Sequence, residues 1–202
     1  MKLQATKRST ITPVSLFLLA MAFSTCNAQE FTRKGQTEIF GMFQTMSSET
    51  ISMFDINWGT RFDFKADETF IYGFGIGHNL TDHWNVNTDF LYGSQDWSLD
   101  MWWFVSGPTS TDIFLWDINV DYNILKGRLT PYVTAGIGLF NFIDDYDFEE
   151  TDFSYNLGAG ARWDISDKFL LKAIYRFTWT DIEDTDDTAQ FGGASISFGI
   201  KF

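Results

Sequence analysis

The 202-residue chain has one cysteine, three prolines and, beyond its first thirty residues, no apolar run long enough for a spanning helix. A lone thiol excludes a disulfide framework. So few prolines, with no Gly-X-Y period, exclude collagen-like and proline-rich chains. The missing apolar run excludes a helical membrane protein. Bases are scarce too: 14 Lys and Arg stand against 27 Asp and Glu, a formal charge of −13. That balance disfavours nucleic acid, whose phosphates recruit Lys and Arg. No Walker motif, glycine-rich phosphate loop or metal-spaced His/Cys cluster is present. What the chain does have is rings: 22 Phe, 8 Trp and 7 Tyr, 18% of all residues. That is too many for a disordered chain, and an odd companion for such an acidic excess in a small soluble domain.

The first residues set the compartment. Lys2, Lys7 and Arg8 precede the apolar stretch 11–23, and Ser24-Thr25-Cys26-Asn27-Ala28 follows as a small-residue exit. A charged start, an apolar run too short to span and a small-residue exit read as a secretory signal peptide cleaved after Ala28. A membrane anchor falls short of the ~20 residues required. Acylation of Cys26 is disfavoured by Phe23 and Thr25 beside it. Residues 1–28 hold three bases, no acid and the only Cys, so the mature chain has 11 bases against 27 acids, a charge of −16. Without Cys it must be held by hydrogen bonds and packing alone. Residues 29–35 then read as a short periplasmic segment, and 36–202 as one domain.

In that domain the dominant period is two. Phe70, Tyr72, Phe74, Ile76 and His78 alternate with Ile71, Gly73, Gly75 and Gly77. Phe114, Trp116, Ile118, Val120 and Tyr122 alternate with Leu115, Asp117, Asn119, Asp121 and Asn123. Segments near 84–93, 131–139, 153–163, 171–179 and 194–202 repeat the pattern. Helices space apolar residues three and four apart; strict alternation means strands with two unlike faces. In a soluble sandwich the buried face is mixed aliphatic and the outer face is rich in Lys, Glu and Thr. Here the apolar face is aromatic and the other is Gly, Asn, Asp and Ser, which fits lipid outside and a tight polar lumen inside. Segments of about ten residues match the 9–11 that cross a bilayer at a tilt.

Short turns near 79–83, 125–128 and 166–168 alternate with longer loops near 98–111, 144–151 and 182–190. Short periplasmic turns alternating with longer outer loops is the asymmetry of membrane barrels. The first strand is either 36–46 or 54–64, since both alternate. Either choice makes eight, the even number that closure with both ends on one side demands. The expected fold is all-β, an eight-stranded antiparallel up-and-down transmembrane β-barrel.

Segments 67–80, 81–93, 128–138 and 153–164 resemble the small outer-membrane β-barrel family related to OmpA-type and OmpW-like porin proteins. The terminal stretch, with Phe198, Ile200 and Phe202 at alternate positions, resembles the C-terminal signal read by the barrel assembly machinery, although Ser197 stands where Gly is common. The resemblance implies a Gram-negative outer-membrane location, with outer-membrane lipids and lipopolysaccharide as neighbours and a monomeric barrel. It implies no single activity.

Parity points Glu38, Asp89, Asp117, Asp121, Arg162, Lys172, Arg176 and Lys201 inward. Four acids against four bases in a narrow lumen should pair, because an unpaired charge there is costly. They form either a plug or a gate that opens when pairs exchange, and the filled interior of an eight-stranded barrel favours the plug. Asp144, Asp145, Asp147, Glu149, Glu150 and Asp152 crowd one loop, and Asp181, Glu183, Asp184, Asp186 and Asp187 another. These are either a solvated acidic surface or loose contacts for Ca²⁺ or Mg²⁺, without EF-hand spacing. Met101, Trp102, Trp103, Phe104 and Val105 form an apolar cluster, a partner site or part of an outer aromatic girdle. Trp84, Tyr122, Trp163 and Phe202 would line the inner interface, with Trp97, Trp116 and Trp179 at the outer interface or on the lipid face. His78 and His83 flank a periplasmic turn, away from the outer rim where a barrel hydrolase holds its nucleophile and base. No catalytic residue and no cofactor is expected. The reading is a structural or interaction barrel; the alternative is a narrow channel or a porin for small hydrophobic molecules.

Overall fold

The computed structural model describes residues 31–48, 51–55, 60–66, 69–101, 104–105, 109–143, 149–181 and 188–202. Eight long strands dominate: β1 Thr37–Ser48, β2 Thr69–Asn79, β3 Trp84–Met101, β4 Thr109–Asn123, β5 Leu129–Ile143, β6 Glu149–Trp163, β7 Phe169–Asp181 and β8 Thr188–Lys201. Each pairs antiparallel with the next, and β8 returns to β1 with Lys201 opposite Glu38 and Ile196 opposite Phe43. The sheet is therefore a closed up-and-down barrel whose eight strands leave no free edge.

Alternation decides the faces. On β2, Phe70, Tyr72, Phe74 and Ile76 are exposed while Ile71, Gly75, Gly77 and Asn79 are buried. On β8, Ile196, Phe198 and Ile200 point outward and Ser195, Ser197 and Lys201 inward. Apolar rings on the outside and hydrogen-bonding groups within invert a soluble protein, as a surrounding of hydrocarbon requires.

Of the two candidate first strands, 37–48 lies in the barrel, paired on both sides by β2 and β8. Strand Ile51–Asp55 pairs with Thr60–Ala66, and residues 63–66 of the latter pair with 97–100 at the far end of β3. Both segments alternate, so sequence could not choose; only 37–48 pairs with two of the eight long strands and so closes the barrel. The loop expected at 98–111 is largely strand. Alternation carries β3 to Met101, Phe104–Val105 pairs back on Asp100 and Met101, and β4 starts at Thr109. At 18 residues β3 exceeds the 9–11 a crossing needs, so it continues beyond the bilayer. Likewise β6 already begins at Glu149 and β8 at Thr188, inside segments expected to be loop.

The interior has two tiers, whereas a polar lumen was expected throughout. The half nearest the long connections holds Met46, Ile71, Leu91, Ile113, Leu115, Phe140 and Phe191, all buried together, with the last two rings stacked at 5.1 Å. The half nearest the short turns holds the ionic clusters, into which Phe40 and Met42 extend the apolar group, while Asp152 is buried opposite Phe140. Parity reports which way a residue points but not which residues meet at one height, so this division was not visible strand by strand.

One seam depends on a glycine. The β1–β8 register runs through Gln44 opposite Ser195 and Ser47 opposite Gly192, and between these pairs the Thr45 hydroxyl accepts from the Ala194 amide at 3.1 Å. A Cβ on Gly193 would lie 1.7 Å from the Thr45 carbonyl oxygen, a backbone atom that cannot step aside. Gly193→Ala is expected to cost about 1–3 kcal/mol by overpacking. The check is the urea midpoint of the heat-modifiable gel shift, and a midpoint equal to wild type would refute the clash.

Candidate functional site: the charged lumen

Spacing on two strands builds the polar tier. Lys172 and Arg176 are four apart on β7, and Asp117 and Asp121 four apart on β4, so each pair projects inward at two heights. In the β3–β4 register Asp89 stands directly opposite Asp117. Like charges in that relation repel, and Arg176 crosses from β7 to bond both, at 2.9 Å to Asp89 and 3.2 Å to Asp117. Asn119 donates to Asp89 at 2.9 Å and Asn156 to Asn119 at 3.0 Å.

Room for these groups comes from glycines across the ladder. Gly75 stands opposite Asp89 and Gly138 opposite Asp117. A Cβ there would lie 2.7 Å and 2.2 Å from the respective Oδ1 atoms. The glycine-rich inner face is thus the space that long ionic side chains occupy.

A second cluster lies nearer the short turns. Glu38 receives Arg162 and Lys172, each at 2.9 Å, and Lys172 also reaches Asp121 at 3.2 Å. Asn85 donates to Glu38 at 2.9 Å. Below it, Asp164 binds Arg33 at 2.7 Å, Arg162 at 3.1 Å and Lys201 at 2.7 Å. All eight inward charges named from sequence are buried here. Two that sequence reading did not name, Arg33 and Asp164, make the lumen network five acids against five bases. Asp164 was within reach, since alternation from Arg162 continues one step past β6. Arg33 was not, because it precedes the first strand and no period covers it.

Arg33 draws the segment before β1 into the mouth of the barrel. It is 0% exposed; its guanidinium donates to the carbonyls of Leu125 at 3.3 Å and Asp82 at 3.4 Å, and to that of Gly127. From the β2–β3 turn, Asp82 accepts the amides of Arg33 and Lys34 at 2.9 and 3.3 Å and the Thr32 hydroxyl at 2.8 Å. Gly35, at φ 81°, turns the chain so that its amide meets the Asn79 carbonyl at 2.7 Å. The Phe31 ring packs under the cations of Arg33, Arg128 and Lys201, at 5.2, 5.0 and 4.7 Å from its centroid. Residues 31–36 are therefore docked across the opening.

Burial pushes the Asp164 carboxyl up, but the guanidinium of Arg162, then Arg33 and the Lys201 hydrogen bond, outweigh it and hold the group at about 2. Burial likewise opposes ionisation of Asp82, yet the bonds from Thr32, Arg33 and Lys34 keep its carboxyl below the ordinary value.

Trp84 and Trp163 lie exposed at the short-turn end, with Tyr122 against Trp84 at 4.7 Å. Phe202, 71% exposed, ends the chain there, beyond the outward Phe198 and Ile200. Trp116 faces outward, donating to Thr88 at 2.9 Å, and Trp179 donates to Gln190 at 3.0 Å. His78 lies 3.0 Å from the Thr37 hydroxyl, and His83 donates to the Asn123 carbonyl at 2.7 Å. Asp152 is buried inside the barrel near the long connections. Asp144, Asp145, Asp147, Glu183, Asp184, Asp186, Asp187, Trp102 and Trp103 lie outside the described residues. So do the side chains of Glu149, Glu150, Asp181, Trp97, Met101, Phe104 and Val105. Among the described residues no group of three His, Cys, Asp or Glu side chains is arranged to hold a metal.

A closed eight-stranded barrel with rings outside and ion pairs inside defines a small β-barrel membrane protein. The chain belongs to the outer membrane protein beta-barrel domain family, whose model it matches over residues 15–202. That membership places it in the outer membrane. Among solved structures it is similar to the outer membrane protein OprG of Pseudomonas aeruginosa, with TM-score 0.63 and 12% identity over 86% of this chain and 98% of that one. It is similar also to Neisserial surface protein A, with TM-score 0.58 and 14% identity over 84% of this chain and 100% of the other. The N-terminal β-barrel domain of OprF from Pseudomonas aeruginosa gives TM-score 0.52 and 17% identity over 84% and 98%. Identities this low establish the shared fold alone. No curated protein matches the sequence.

Proposed function

We propose that this protein is a closed structural barrel that displays its outer connections to the surroundings and passes no solute through its lumen. The observation that carries the reading is occlusion at three successive heights. Residues 31–36 cover the short-turn mouth with Arg33 buried at 0% exposure, the ionic clusters fill the middle, and the stacked Phe140–Phe191 tier fills the far half. An ion on this axis would have to break paired buried charges and then enter an apolar layer, two steps that both cost desolvation. The extension of β3 and the hairpin on residues 97–100 supply a raised sheet on the side of the long connections. In barrels of this kind that side faces outward and the short turns face the periplasm.

On this reading the signal segment is removed after Ala28, the barrel assembly machinery reads Phe198, Ile200 and Phe202, and the outward rings meet outer-membrane lipid and lipopolysaccharide. The barrel works as a monomer, since β8 pairs with β1 and the sheet closes within one chain. Purified protein in planar lipid bilayers is expected to show no unitary conductance steps. Resolved steps from wild-type protein would overturn the closed reading in favour of a channel.

A further inference from the structure

The two ionic clusters are joined unevenly. Along the β3–β4 wall asparagines bridge them: Asn85 donates to Glu38, Asn87 to Asn85, and Asn119 to both Asn87 and Asp89. On the β7–β8 side no ion pair among the described residues crosses from Lys172–Asp121 to Arg176–Asp89. A cavity lies at that break, walled by Asp89, Asp121, Lys172, Arg176, Ser195 and Ser197, among others, with a volume of about 10 Å³. That is room for one water.

Two of its walls carry unmatched polar atoms. Asp89 Oδ1 is a buried acceptor with no donor, and Arg176 Nε is a buried donor with no acceptor. Left so, each carries the desolvation penalty of an unmade hydrogen bond. The occupant must therefore both donate and accept. It must also be neutral, because two carboxylates and two cations line the space and an ion of either sign would meet its like. At this size, one heavy atom that is neutral, donor and acceptor is a water molecule.

We propose that a single ordered water occupies this cavity, donating to Asp89 Oδ1 and accepting from Arg176 Nε. It completes the hydrogen bonding of the Arg176–Asp89 pair, whose direct contact at 2.9 Å leaves these two atoms over. The cavity is thus a structural water site, built into the lumen directly below the apolar tier.

The test is a crystal structure of the detergent-folded protein at a resolution that shows ordered water. A peak within hydrogen-bond distance of both Asp89 Oδ1 and Arg176 Nε is expected. An empty cavity overturns the proposal, and so does a peak that turns anomalous after soaking with rubidium or bromide, which would mean an ion. Stability supplies a second reading, since sign alone separates a hydrated site from a dry void. Ser197→Thr brings a methyl group into the same space. If water is a working partner there, the urea midpoint of the gel shift falls; an unchanged or raised midpoint overturns the proposal.

Discussion

Arg176→Ala is expected to lower the unfolding free energy of the barrel by about 3–5 kcal/mol, as removal of one member of a buried ionic group does. The residue holds apart two carboxylates that the β3–β4 register sets directly opposite one another, Asp89 and Asp117. Without it both stay buried, mutually repelling and short of donors. Urea unfolding of protein refolded into vesicles, followed by tryptophan fluorescence and by the gel shift, measures the loss. The cause is separable from lost packing: in the Arg176→Ala background, Asp117→Asn should recover part of the stability because it removes one of the two orphaned charges. A double-mutant cycle with no such coupling would refute the argument, as would a loss below about 1 kcal/mol.

Asp164→Ala should cost a similar amount, about 3–5 kcal/mol, because it leaves Arg33, Arg162 and Lys201 facing one another without their shared carboxylate. It should also undock the segment before β1. Arg33 is a trypsin site, and in the wild type its side chain is fully enclosed. Trypsin is therefore expected to clip the folded variant there while sparing the folded wild type, and equal resistance would show that Asp164 does not hold the segment. The pH dependence has a definite sign. The folded carboxyl titrates at about 2 against an ordinary value of 3.8, so its contribution is full above the unfolded value and is lost as pH falls toward 2. Wild type should lose stability across that acid range, and the variant should show a flatter arm over the same interval.

Several features were legible because a strand's side chains alternate rigidly. Once Trp116, Ile118 and Val120 face lipid, Asp117, Asn119 and Asp121 have no choice but the lumen. The same logic placed Lys172 and Arg176 inside, and one further step past Arg162 would have reached Asp164. Other features had no local signal. Residues 36–46 and 54–64 alternate alike, and only pairing with both β2 and β8, which closes the barrel, picks out β1. Arg33 sits before any strand, so its burial follows from Asp82 and Asp164, which arrive from turns some fifty and one hundred and thirty residues away. Leu91 and Leu115 point the same way as Asp89 and Asp117 on their own strands. That they form an apolar layer depends on Phe140 and Phe191 reaching the same height from β5 and β8.

By itself, then, the sequence determined the class of structure, the outward aromatic face and which charges turn inward. Period two is a property of a single strand and needs no partner to be read. Only the tertiary structure decided which acid meets which base, where the lumen changes from ionic to apolar, and what closes its mouth. Those outcomes depend on strand stagger and on contacts across the barrel, and both are set only when β8 pairs with β1.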